Sequence, residues 1–86
     1  MKELERTLKA LANRRRLALM QYLKRNKEAP VAELAHAIKL SFKSTSKHLG
    51  VLSAVDVVEK EQRSLQMFYR LASVQKPPAR RILELL

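Results

Sequence analysis

Lys43 and Lys47 stand one helical turn apart in a segment, Phe42 to Ala54, whose apolar spacing is helical. At about 100° per residue, Thr45, Leu49 and Leu52 share one face and turn inward. Lys43, Lys47 and Gly50 then point nearly opposite, with Ser44 and Ser46 flanking. Ammonium and hydroxyl groups arranged this way suit phosphate oxygens and base edges in a major groove. No acidic residue lies between Glu33 and Asp56 to offset the lysines. A solvated lysine face is the plain alternative.

A second basic block is Arg14, Arg15 and Arg16. Asn13 is a good N-cap, so the three arginines crowd a helix N-terminus, where the macrodipole disfavours each cation by about 0.3–1 kcal/mol. Phosphate, or a carboxylate such as Glu33 or Asp56, must offset them. Phosphate is the reading for Arg14 and Arg15. A third set is Lys60, Gln62 and Arg63, near a polar turn between two alternating runs. An arginine at such a tip enters a minor groove and reads its width.

Other chemistry is poorly supplied. Ser46, His48 and Asp56 contain the residue types of a hydrolytic triad, but they fall on one helix and its end. No paired carboxylates sit in an apolar stretch and no glycine-rich phosphate loop exists, so no enzyme is expected. There is no cysteine, and the two histidines, His36 and His48, have no third ligand nearby. No metal and no cofactor is therefore expected. The longest aliphatic run, Leu17 to Met20, is far short of the roughly 18 residues of a membrane span. Arg14 to Leu23 only faintly imitates a signal peptide, lacking a long apolar core and a cleavage site. A cytoplasmic protein without a membrane partner, associated with the nucleoid, is the expectation.

The bulk figures agree. Eighteen Lys and Arg against eight Asp and Glu leave +10 on 86 residues, which calls for a polyanionic partner. Apolar residues are 47% and charged residues 30%, a foldable composition. A chain of this size forms one domain, residues 1–86, and buries only about 60% of its unfolded surface.

The elements that must position these groups are legible. Leu4, Leu8 and Leu11 stripe a first helix, about Lys2 to Ala12. A second runs to about Asn26, with Leu17, Met20 and Leu23 inward, and Lys27 to Pro30 breaks it. A third covers about Ala32 to Ile38. After the turn Lys39-Leu40-Ser41, Ser41 caps the fourth. Val57 to Glu61 and Leu65 to Leu71 alternate around Gln62-Arg63-Ser64 and predict a β-hairpin. Pro77 and Pro78 begin a short last helix, in which Ile82, Leu83, Leu85 and Leu86 are apolar. Eight residues do not hold a helix alone in water, so this one docks on its own domain or on a second subunit. Two helices joined by a short turn and followed by a hairpin are a winged helix-turn-helix. The fold class is thus mainly α with a two-stranded wing: about five helices, the helix-turn-helix at 32–54 and the wing at 57–71.

Leu11-Ala12-Asn13 with Arg16-Leu17, Glu33-Leu34-Ala35, Ser46-Lys47-His48-Leu49 with Val51-Leu52, and Phe68-Tyr69-Arg70-Leu71 resemble the ArsR/SmtB family of repressors over about residues 4 to 72. The resemblance implies a homodimeric transcriptional regulator joined through its first and last helices, residues 1–12 and 77–86. Leu4, Leu8, Leu11, Ile82, Leu83 and Leu86 are the interface residues it implies. It places Arg16 in a structural ion pair, and His48 beside the core or the DNA backbone. Three departures stand out. The third helix lacks the cysteines of a thiolate metal site near Pro30 and Ala32, and the last helix offers only Glu84. Lys39, Asp56 and Ser64 occupy turn positions where relatives carry glycine, so the turns are expected to differ in shape. Phe42 replaces a base-reading glutamine and is expected to fold back on the core, the alternative being contact with a thymine methyl.

These readings combine into a homodimeric repressor that reads a palindromic operator in double-stranded DNA, with an unknown effector. The DNA-contacting set is Arg14, Arg15, Ser41, Phe42, Lys43, Ser44, Ser46, Lys47, His48, Lys60 and Arg63. The alternatives are a sequence-nonspecific chromosomal protein and a winged helix used to bind protein or RNA.

Overall fold

Five helices and a three-stranded antiparallel sheet make up the computed structural model, which describes residues 1–86. Helix α1 (Lys2–Leu11) carries Glu3 and Glu5 in its first turn and Lys9 in its last, as the helix dipole favours. It buries Thr7, Ala10 and Leu11, and leaves Leu4 and Leu8 exposed. Helix α2 (Arg14–Asn26) starts where the Asn13 side chain accepts from the amides of Arg15 and Arg16, at 2.9 and 3.1 Å. Such a cap stabilises by about 1 kcal/mol.

Strand β1 (Glu28–Pro30) follows, where the sequence showed only a break. Three residues are too few to display a strand period, and Pro30 is tolerated because β1 is an edge strand. Helix α3 (Val31–Ile38) and helix α4 (Phe42–Ala54) form the helix-turn-helix. Strands β2 (Val58–Arg63) and β3 (Gln66–Leu71) form the hairpin, and the sheet order is β1-β3-β2. The hairpin turn is Ser64-Leu65, not Gln62 to Ser64: Arg63 pairs with Gln66 in register. Gln62 and Arg63 are polar on both faces of the strand, so alternation could not mark them as strand. Helix α5 (Pro77–Leu85) opens with its two prolines and docks on α1 and α2. Lys24 Nζ donates to the carbonyl of Leu83 at 2.7 Å, placing a cation at the negative end of α5.

The core gathers around α2, which touches every other helix and the sheet. Leu19, Met20, Leu23, Leu34, Leu49, Leu52 and Val57 are its most enclosed large side chains. Leu19 takes the place expected for Leu17, which is only half-buried. A helix covered from several sides buries a wider stripe than one-face spacing suggests.

The chain turns without glycine. Lys27, Lys39, Asp56 and Ser64 all adopt positive φ, between 55° and 62°. The left-handed region costs a non-glycine residue roughly 1–2 kcal/mol, so each turn is held by its surroundings. The one glycine lies inside α4, where an added Cβ would meet nothing within 4 Å. No approach of the wing or another part of the chain explains Gly50.

Candidate nucleic-acid interface

The turn between α3 and α4 sets how the second helix projects. Lys39 takes φ 55°, ψ 50°. Its amide donates to the carbonyl of His36 at 3.2 Å, and that of Leu40 donates to Ala35 at 3.0 Å. This is a Schellman ending, which requires the left-handed residue. Ser41 then caps α4, its hydroxyl oxygen accepting from the Ser44 amide at 3.1 Å. Its hydroxyl proton remains free to donate.

Thr45, Leu49 and Leu52 face the core, so the opposite side of α4 faces out. Lys43 and Lys47 are exposed and no carboxylate pairs with either. Ser44 and Ser46 are half-buried beside them. Phe42 does not fold back on the core: it is 60% exposed, because it stands in the first turn of α4, ahead of the packed stripe. Its ring is an apolar group on the outward surface, suited to a thymine methyl.

Arg14 is exposed and Arg15 half-buried at the start of α2, neither with a carboxylate partner. Arg16 has no carboxylate either, which corrects the expected ion pair. Its Nε donates to the carbonyl of Ala10 at 2.6 Å and a terminal nitrogen to that of Lys9 at 3.4 Å. The offset for this cation is the negative end of α1. Glu33 instead accepts from the Tyr22 hydroxyl, and Asp56 pairs with Lys76 at 3.7 Å.

Arg16 also reaches α4, with a guanidinium nitrogen 3.2 Å from Nδ1 of His48. Guanidinium only donates, so Nδ1 accepts and the ring proton sits on Nε2. Burial, and then the charges of Arg16 and Arg15, hold the His48 pKa below its ordinary 6.5. The imidazole is therefore neutral near pH 7. Ser46, His48 and Asp56 do not assemble a triad: His48 is bonded to Arg16 and Asp56 faces Lys76.

The wing corrects another expectation. Arg63 is not a free tip residue. It donates to both carboxylate oxygens of Glu28, at 2.7 and 2.9 Å, and to Glu61 at 3.1 Å. Its guanidinium lies 4.5 Å over the Phe68 ring. Arg70 extends the cluster to Glu61 at 3.0 Å and Glu59 at 3.4 Å. Arg63 therefore ties β2 to β1. Lys60 and Gln62 remain exposed on the hairpin.

The implied interface residues fall into three groups. Leu4 is 39% and Leu8 47% exposed, while Leu11 and Leu83 are buried in the protomer's own core. Ile82 and Leu86 are half-buried, and Leu85, which is not among the implied interface residues, is 81% exposed. Leu8, Leu17, Ile82, Leu85 and Leu86 line an apolar cleft of about 390 Å³ between α1, α2 and α5. The sequence also gave no sign of Arg6, which donates to the carbonyl of Ala54 at the end of α4, at 3.0 Å.

No group of three or more His, Asp or Glu side chains stands where it could hold a metal ion. No helix is long and apolar enough to cross a membrane.

No protein-family model and no curated protein matches the sequence. Solved structures do. HlyU from Vibrio cholerae is 30% identical, with 98% of this chain aligned to 87% of that one at a TM-score of 0.81. The transcriptional repressor BigR from Xylella fastidiosa is 32% identical over 99% of this chain and 80% of that one, with a TM-score of 0.79. Mb0332 from Mycobacterium bovis is 28% identical over 98% of this chain and 74% of that one, with a TM-score of 0.81. It is a homodimeric winged helix-turn-helix DNA-binding domain, described as a possible ArsR-family regulator. With the helix-turn-helix, the wing and these likenesses together, the chain belongs to the ArsR/SmtB family of winged helix-turn-helix transcriptional regulators.

Proposed function

We propose that the chain is a homodimeric repressor that reads a palindromic operator in double-stranded DNA. The observation that carries this reading is the outward face of α4, where Lys43 and Lys47 stand exposed with no carboxylate partner. Ser44, Ser46, Phe42 and the free hydroxyl proton of Ser41 supply neutral contacts to phosphates and bases. Arg14 and Arg15 meet the flanking backbone, His48 offers its Nε2–H, and Lys60 serves the wing. Arg63 acts through the wing's shape, its charge being engaged by Glu28 and Glu61.

Residues 1–86 act as one DNA-binding domain. Dimerisation falls to the exposed part of the apolar stripe: Leu4, Leu8 and Leu85, with Ile82 and Leu86 at the cleft. A two-fold dimer would place its two α4 helices about 34 Å apart, one DNA turn, which is why the operator is palindromic. The relatives' own descriptions agree, BigR being a transcriptional repressor and the Mb0332 domain homodimeric. Such a protein works where DNA lies, in the cytoplasm on the nucleoid, and does no catalysis. Without cysteine it lacks thiolate sensing.

Fluorescence titration against a library of genomic duplexes at fixed salt tests the reading. A preferred duplex is the expected result; equal affinity for all duplexes would leave a nonspecific chromosomal protein. Zinc or a chelator is expected to leave DNA affinity unchanged.

A further inference from the structure

A groove of about 580 Å³ runs along α2 beside the end of α3. Its charged lining is Arg14, Arg15 and Arg25, with Tyr22 along the middle and Ala37 and Ile38 as the opposite wall. That volume lies within the roughly 300–1,000 Å³ common for small-molecule sites. No carboxylate lines it. None of the three guanidiniums takes part in the protein's ion pairs. Glu33, outside the lining, accepts from the Tyr22 hydroxyl.

Two of these charges are not explained by the fold. Arg14 and Arg15 sit at the positive end of α2, where cations are disfavoured. Arg16 is compensated by the carbonyls of α1, but its two neighbours are not. Arg25 lies eleven residues further along α2, about 16 Å at 1.5 Å per residue. It stands toward β1, away from the end of α2 that touches α4. Its place in the last turn of α2 suits the helix dipole, and with no carboxylate paired to it the charge stays available to the groove. Apolar wall, aromatic ring and unpaired arginines together suit a ligand with an apolar body and an acidic group.

We propose that this groove binds a small organic anion, an aromatic or aliphatic body carrying a carboxylate, phosphate or sulfonate. The apolar body lies against Ile38, Ala37 and the Tyr22 ring, with the acidic group held by Arg14 and Arg15 at one end of the groove and Arg25 closing over the body at the other. The anion takes up Arg14 and Arg15, so it competes with DNA; this coupling, though not the site, rests on the reading of those two as phosphate contacts.

The probe is 8-anilinonaphthalene-1-sulfonate, followed by fluorescence on the full chain. Saturable binding is expected. Arg25→Gln removes a charge and Ala37→Leu fills the groove from α3, and each is expected to weaken the dye about tenfold or more. Both variants should keep wild-type DNA affinity, because neither residue belongs to the DNA-contacting set. Saturating dye should release DNA from the wild type and not from Ala37→Leu. Dye binding that ignores both substitutions would overturn the proposal, since the dye would then sit on the apolar leucine surface. A loss of DNA affinity and of salt dependence in Arg25→Gln would also overturn it, making the groove a track for DNA backbone. If the wild type binds no duplex at all, the repressor reading fails, while the response of the dye to the two substitutions still decides the site.

Discussion

The guanidinium of Arg16 bonds the carbonyl of Ala10 and, 3.2 Å away on its other side, Nδ1 of His48. One side chain thus joins the end of α1 to the middle of α4, and Arg6 makes a second link from α1 to the carbonyl of Ala54. The helix that carries the exposed leucines is hydrogen-bonded to the helix that carries the exposed lysines.

Removing that joint has a measurable cost. Arg16→Ala leaves carbonyls at the end of α1 and the His48 ring without their donor. Hydrogen bonds to charged groups contribute about 1.5–3 kcal/mol each when shielded, and partial exposure reduces this, so a loss of roughly 1–2 kcal/mol is expected in urea unfolding. Arg16→Lys recovers only part, because an ammonium cannot span the carbonyls and His48 together. Unchanged stability in both variants would show that the joint contributes nothing.

The His48 pKa is lowered on folding, so the unfolded chain binds the proton more readily. Stability is then unaffected well above pH 6.5 and falls as pH drops through that value toward the lower folded pKa. The carboxyls of Glu28 and Glu61 are also held low, chiefly by hydrogen bonds from Arg63. Their contribution is present above pH 4.5 and is lost as pH falls through their depressed values. Two acid phases are expected in a pH series of thermal unfolding. His48→Gln should abolish the upper phase and Arg63→Ala should weaken the lower.

Substituting both lysines of α4 tests the DNA face directly. Lys43→Ala with Lys47→Ala is expected to weaken DNA binding. It should also reduce the slope of log affinity against log salt by about 1.8, at 0.9 per phosphate contact. Arg63→Ala should leave that slope intact, since its charge is paired within the wing. A slope that drops equally for Arg63→Ala would return Arg63 to the phosphate contacts.

Leu8 lies 47% exposed beside the α1–α5 cleft. Leu8→Glu places a charge at the centre of the proposed subunit contact, and sedimentation equilibrium is expected to show monomers where the wild type forms dimers. Monomer folding should survive, because the core side of α1 is Thr7, Ala10 and Leu11. A variant that remains dimeric would move the interface elsewhere.

Gly50 is the test of a residue with no neighbour. Gly50→Ala is expected to stabilise α4 by about 0.5–1 kcal/mol in urea unfolding, since helix-interior glycine is costly and nothing fills the space. Reduced DNA affinity in the same variant would show that the open space admits a DNA backbone.

Local chemistry made much of this fold legible. Asn13 and Ser41 are caps with a side-chain acceptor, and both cap where expected. The spacing of Thr45, Leu49 and Leu52 set the buried side of α4, and thereby the outward side on which Lys43 and Lys47 stand. Where the signal was short or ambiguous, reading failed. Strand β1 has three residues, and its pairing with β3 joins Glu28 to Arg70, forty-two positions later. No local pattern encodes such a partner. Lys39, Asp56 and Ser64 turn with positive φ although nothing in their types demands it.

By itself, then, the sequence determined the order of the helices and the hairpin, the absence of thiolate chemistry and the basic character of α4, because caps, periodicity and composition act between near neighbours. Tertiary structure alone decided which charges remain free. It gave Arg63 to Glu28 and Arg16 to the carbonyls of α1, and it exposed Phe42 and Leu85 while burying Leu11 and Leu83. Charge pairing and burial depend on residues brought together across the chain, and proximity in space is not written in spacing along it.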